Sequence, residues 1–161
     1  MSDPRVQIRR GRRTDFTAVM RLLAASGIPM PPPDRAAVRR FRNLVTDLGA
    51  DFYLAWIEGT LAGLVHMTYT RQLTMPSRAQ LDHLVVADAF RGRGIGSALL
   101  AFARRRAQRR GCIVCSCMLP TAAAPVQPFL ERAGFQAAGY HFSLVLAAES
   151  EMAPTIEPVQ G

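Results

Sequence analysis

The chain has 161 residues, 49% of them hydrophobic, which fits one globular domain with a substantial core. Its formal net charge of +8 is carried by arginine, for no lysine occurs; that excludes a phosphate-loop NTPase, whose signature needs a lysine on the phosphates, and lysine Schiff-base chemistry. No run approaches the roughly 18 apolar residues of a membrane span and no apolar segment follows the basic start, so the sequence points to the cytoplasm and away from a membrane.

In chain order, Val6 to Arg10 is a short alternating strand. Thr14 reads as the N-cap of a helix whose apolar stripe is Phe16, Val19, Met20, Leu22 and Leu23, ending at Gly27. The prolines of "IPMPPPD" demand a loop. A second helix spans Arg35 to Leu48, with Val38, Phe41, Leu44, Val45 and Leu48 facing the core. Phe52 to Ile57 and Leu61 to Thr70 form a hairpin about the turn Glu58-Gly59. The run "AQLDHLVVAD" from Ala79 is a central strand, and a helix then extends to about Arg110, burying Ile95, Leu99, Phe102, Ala103 and Ala107. Arg104, Arg105, Arg106, Arg109 and Arg110 crowd its last turns and read as a solvated face. "CIVCSCML" is a strand, "APVQPFLERAG" a short helix and "YHFSLVL" a final strand; residues 148–161 read as a disordered tail. The order gives a mixed α/β domain on one sheet.

Three cysteines, Cys112, Cys115 and Cys117, are an odd number in one strand, so reduced thiols are the simpler reading. Cys115 and Cys117 share a face, but a metal site would need further ligands at suitable spacing, and small hydrophobes explain them better. The arginine excess favours acidic ligands, whereas a nucleic-acid role is disfavoured by the lack of an aromatic-interleaved basic run.

"FRGRGIGSALL", from Phe90, places three glycines within five positions at the start of a helix. The first turn of a helix leaves backbone N–H groups without acceptors and attracts anions, and glycines let a phosphate oxygen come close. The stretch is therefore a candidate pyrophosphate cradle; a plain connecting turn is the alternative. A nicotinamide-type turn fails, because the spacing is G-x-G-x-G and the next strand does not end in an acid.

The string "LDHLVV", then "ADAF", then "RGRGIGSALL" resembles motif A of the GCN5-related N-acetyltransferase (GNAT) family, with Arg91, Gly94 and Gly96 at its specified positions. "FLERAGF" and "EGTLAGLVHM" resemble two further family segments, and the resemblance covers residues 5–147. It implies a single mixed sheet flanked by helices and an acetyl-CoA-dependent transferase acting on a primary amine, with direct transfer in a ternary complex. It further implies that Arg91, Gly92, Arg93, Gly94, Ile95, Gly96 and Ser97 bind the coenzyme's pyrophosphate. A bulged strand should splay from its neighbour, so that Leu84, Val85 and Val86 pair with the pantetheine arm. Asp82 is the first candidate for the base and His83 the second, since only one of two neighbours on a flat strand faces the cleft; a structural role for either stays open. A homodimer is common in the fold. The acceptor pocket would draw on the two first helices and their loop "GIPMPPPD", and on the loop flanked by Arg71 and Arg78, which could receive the acidic group of a small amine or equally be solvated loop arginines.

Two positions depart from the family pattern. Leu130 stands where many members have a tyrosine that protonates the leaving thiolate, and Ala123 where an asparagine often contacts the coenzyme. Neither side chain can hydrogen-bond, which keeps open a second reading: a weak or non-catalytic acyl-CoA-binding regulatory domain.

Overall fold

The computed structural model describes residues 6–30, 32–119 and 126–137. Five strands, β1 (Gln7–Arg10), β2 (Ala50–Ile57), β3 (Thr60–Thr70), β4 (Arg78–Val86) and β5 (Val114–Cys117), form one sheet in the order β1-β2-β3-β4-β5. The first four are antiparallel neighbours and β5 runs parallel to β4. Helices α1 (Phe16–Ala25) and α2 (Arg35–Thr46) precede β2, and α3 (Ile95–Arg109) joins β4 to β5 as a parallel connection requires. A separate unit begins at Leu119 and contains α4 (Gln127–Arg132). The expected strand at 140–146, the tail at 148–161 and position 123 lie outside the described residues.

Paired residues in the ladders share a face, which assigns the two sides of the sheet. Phe52 and Leu54 of β2, Leu61 and Leu64 of β3 and Val85 of β4 pack with Val19, Leu22, Phe41 and Val45 of α1 and α2. The other face receives α3, which buries Ile95, Leu99, Leu100, Ala103 and Ala107. Phe102, expected among these, is only half-buried and lies edge-on to Tyr53 at 4.7 Å. Gly63 lets α3 come close: a Cβ there would stand 2.7 Å from the Val85 carbonyl oxygen and 3.0 Å from a Leu99 methyl.

Several boundaries move for identifiable reasons. Thr14 does not cap α1: a single 3-10 turn, Arg13–Asp15, comes first, and Asp15 accepts from the Arg12 N–H at 2.7 Å and from Arg9 Nη1 and Nη2 at 2.8 Å each. α2 opens on Asp34, which accepts from the Ala37 N–H at 2.7 Å, and closes two residues early, leaving Leu48 exposed. The hairpin turn is as expected, with Glu58 at φ 47° and Gly59 at φ 76°, the two positive values of a type I′ turn.

The arginines at the end of α3 are not simply a solvated face. Asp51, 2% exposed, draws Arg106 and Arg110 inward together with Arg10 of β1. Arg106 Nε and Arg110 Nη2 donate to it at 3.1 and 3.0 Å, and the Tyr69 hydroxyl donates at 2.8 Å. Burial alone would raise the Asp51 pKa, but the hydrogen bonds from Arg106, Tyr69 and Arg110 together hold it below the usual carboxylate value.

Candidate active site

The site grows out of two irregularities in β4. Across β3, His66 pairs with His83 but Met67 pairs with Leu81, so Asp82 is the extra residue of a β-bulge. The bulge exchanges faces along β4: Leu81 and Leu84 point to the α3 side, whereas His83 and Val85 share the α1/α2 side with His66 and Leu64. On the opposite edge, pairing with β5 runs from Arg78↔Val114 to Leu81↔Cys117 and then stops, while β4 continues to Val86. Among the described residues, β4 has no strand partner on this edge beyond Leu81, next to the bulge.

Asp82 is held from β3. The Thr68 hydroxyl donates to Asp82 Oδ2 at 2.9 Å, and His66 Nδ1 lies 3.8 Å from the same oxygen. No arginine pairs with Asp82 among the described residues. Because of the bulge, Asp82 and His83 are both exposed, so the one-or-other choice drawn from a flat strand does not arise. His83 stacks on His66 at 5.8 Å between ring centroids. His66 in turn meets Phe52 at 5.9 Å, Phe52 meets Phe41 at 5.7 Å, and Phe41 meets Phe16 at 5.6 Å. A file of rings therefore runs from the apolar core to the site.

Burial lowers the His66 pKa, opposed by Asp82 and assisted by His83, and His66 Nε2 is a buried atom without a partner among the described residues. Desolvation lowers the His83 pKa too, although that residue reaches the surface. Both imidazoles are neutral at pH 7, able to accept a proton rather than carrying one. His66 and Thr68 were not singled out by the sequence; their pairing with the Asp82 segment depends on hairpin register and on the bulge.

The glycine stretch adjoins this strand. Gly92 and Gly94 take φ of 73° and 76°, and Gly94 is the residue before α3 with no side-chain cap. The first α-helical bond there is from the Ala98 N–H to the Gly94 carbonyl at 2.9 Å, leaving the amides of Ile95, Gly96 and Ser97 ahead of the helical ladder. A Cβ at Gly92 or Gly94 would meet nothing within 4 Å, so the space beside the backbone is open. Arg91 pairs with Asp88 at 2.8 Å, and the Arg93 guanidinium lies 5.5 Å from the Phe90 ring centroid. These features suit a pyrophosphate held by main-chain donors, and that edge of β4 suits an extended arm, so the residues present fit acetyl-CoA.

Other candidates fare differently. Desolvation pushes the Cys115 thiol up to about 11 and raises those of Cys112 and Cys117, so all three stay protonated at neutral pH. Cys112 is buried, while Cys115 and Cys117 are half-buried. No group of three or more potential metal ligands is gathered among the described residues, and no helix there is long and apolar enough to cross a membrane. Leu130, on α4, is buried. A surface hollow of about 580 Å³ lies along α2, lined by Arg13, Arg35, Arg39 and Arg42 with Pro33 and Asp34 of the loop before it; it lies on the helices expected to build the acceptor pocket but includes none of the candidate base or coenzyme-loop residues.

Known structures share this architecture. A transcriptional regulator from Bacillus halodurans C-125 is 25% identical with a TM-score of 0.80, over 88% of this chain and 100% of that one. Glucosamine-6-phosphate N-acetyltransferase from Arabidopsis thaliana is 16% identical with a TM-score of 0.76, over 89% and 99%. The aminoglycoside N-acetyltransferase AAC(6')-Iy, solved with CoA, is 16% identical with a TM-score of 0.77, over 89% and 96%. No curated protein sequence matches. Residues 16–135 match the acetyltransferase (GNAT) family. The chain belongs to that family, whose members use acetyl-CoA, and is an N-acetyltransferase.

Proposed function

We propose that the protein moves the acetyl group of acetyl-CoA directly to the primary amine of a small molecule, in a ternary complex, with Asp82 as base. The observation that carries this reading is the edge of β4 left without a strand partner after Leu81 among the described residues, shortly before a glycine loop that opens a helix. Leu84, Val85 and Val86 would hydrogen-bond the pantetheine arm as a neighbouring strand does, and Arg91 to Ser97 would receive the pyrophosphate on backbone amides. Acetyl-CoA supplies the acetyl group as a thioester.

Asp82 takes a proton from the substrate ammonium, which frees the nitrogen lone pair to attack the thioester carbonyl carbon. A β4 main-chain N–H steadies the charge on the carbonyl oxygen as the C–N bond forms, and the C–S bond then breaks as the nitrogen gives up its second proton to water. Leu130 stands at the sequence position where many family members have a tyrosine that protonates the departing sulfur, and it cannot donate a proton, so water returns one to the thiolate. Two of the similar structures are named for acetylating an amino sugar phosphate and aminoglycosides, which supports a small acceptor. The exposed Arg71 and Arg78 bracket the β3–β4 loop and suit an acidic group on it.

The test is an acetyl-CoA titration by calorimetry on wild type, Gly94→Ala and Gly94→Glu. Any side chain at φ 76° is strained, so alanine measures that strain alone, at about 1 kcal/mol of stability. Glutamate adds a negative charge to the cradle and should weaken binding by tenfold or more beyond alanine, about 1.4 kcal/mol. Equal affinity in both variants would remove the loop from the site. Binding without release of CoA in a broad amine screen would favour the regulatory reading.

A further inference from the structure

We infer that Thr68 is a positioning residue for the reaction, holding Asp82 by Oδ2 so that Oδ1 is the oxygen offered to the acceptor amine. The inference rests on Asp82 serving as the base. A bulged residue has no partner opposite it in the ladder, so the pleat does not fix where its side chain points. Asp82 therefore needs a tether, and the Thr68 hydroxyl supplies one at 2.9 Å. Among the described residues Oδ1 has no partner.

The groups around the carboxylate support this division. His66 Nδ1, at 3.8 Å, is beyond hydrogen-bond reach and does not replace Thr68. The His66 ring is set by Phe52 and His83 on either side, and Asp47 reaches it only through its charge. Gln80, which faces Thr68 across the ladder, is engaged by the Ser116 hydroxyl at 2.9 Å and leaves the Thr68 hydroxyl to Asp82. With no arginine drawn to Asp82 among the described residues, its charge is left for the substrate ammonium.

The experiment compares wild type with Thr68→Val, Thr68→Ala and Thr68→Ser, following CoA release with acetyl-CoA and an amine panel that includes glucosamine 6-phosphate and an aminoglycoside. Valine keeps the shape and loses the hydroxyl, alanine loses both, and serine keeps the hydroxyl. The valine and alanine variants should lose about tenfold or more in kcat, a fraction of what a general base contributes. KM for acetyl-CoA should stay within about twofold, because Thr68 lies off the coenzyme loop, and serine should restore kcat to within about threefold of wild type. A valine variant with wild-type kcat, or a serine variant as slow as valine, overturns the role of Thr68 while leaving the activity in place. Absence of transfer by the wild-type protein to any amine removes the functional reading, and this inference falls with it.

Discussion

Asp51 and Asp82 sit on opposite faces of one sheet, and they differ in almost everything that decides what a carboxylate does. Asp51 is 2% exposed and receives hydrogen bonds from Arg10, Arg106, Arg110 and Tyr69, so both its oxygens are occupied. Asp82 receives one hydroxyl and stands 3.8 Å from a histidine that burial keeps neutral. The first ties β1, β2, β3 and α3 together at one point. The second is set out on an exposed bulge. A charge surrounded by fixed partners holds a structure, whereas a charge with a vacant oxygen is available for chemistry.

Exchanging each carboxylate for its amide should separate the two roles. Asp51→Asn removes the buried charge that three half-buried guanidinium groups share, and breaking such a pair costs roughly 3–5 kcal/mol. Urea denaturation should show that loss as a lower midpoint with an unchanged slope. Asp82→Asn should leave the midpoint within about 0.5 kcal/mol of wild type, as substitutions at exposed sites do. It should instead reduce kcat by about 100-fold or more, the contribution of a positioned base. If the Asp51 amide is stable, or the Asp82 amide is fully active, the contrast between the two faces is lost.

The difference between these regions also sets how much could be read in advance. The hairpin over Glu58-Gly59, the order of strands and helices, and the glycine loop before α3 are local patterns, written in a few consecutive residues each. Asp82 and His83 were legible as neighbours on the motif strand, but their joint exposure was not, because the bulge is a property of pairing between β3 and β4. Thr68 and His66 lie in an apolar run, 14 and 17 residues before Asp82 and His83 respectively, and only register brings them to the site. Arg104, Arg105 and Arg109 are exposed as expected, but the inward turn of Arg106 and Arg110 was not legible for the same reason: the carboxylate that gathers them stands 55 and 59 residues earlier. Asp51 is adjacent to nothing in sequence that announces its burial.

The smallest effect distinguishes the two faces by pH alone. His66 and His83 have folded-state pKa values below the ordinary histidine value, so between about pH 6.5 and those lower values the unfolded chain binds more protons than the folded one. Stability contributed by the neutral imidazoles is present above about pH 6.5 and is lost as pH falls through the folded values. Asp51, with its pKa depressed, contributes stability that is present above about pH 3.9 and is lost only as pH falls through a still lower value. Asp15, held down first by its hydrogen bonds from Arg9, follows the same course. Urea midpoints taken from pH 8 downwards should therefore decline in two stages, a shallow one below pH 6.5 and a steeper one below pH 4. His66→Phe keeps a ring against Phe52 and removes one titrating group, so it should flatten the first stage and leave the second unchanged. If His66→Phe leaves the first stage as steep as in wild type, His66 is not the half-buried neutral group that keeps the positive charge of an imidazolium away from Asp82.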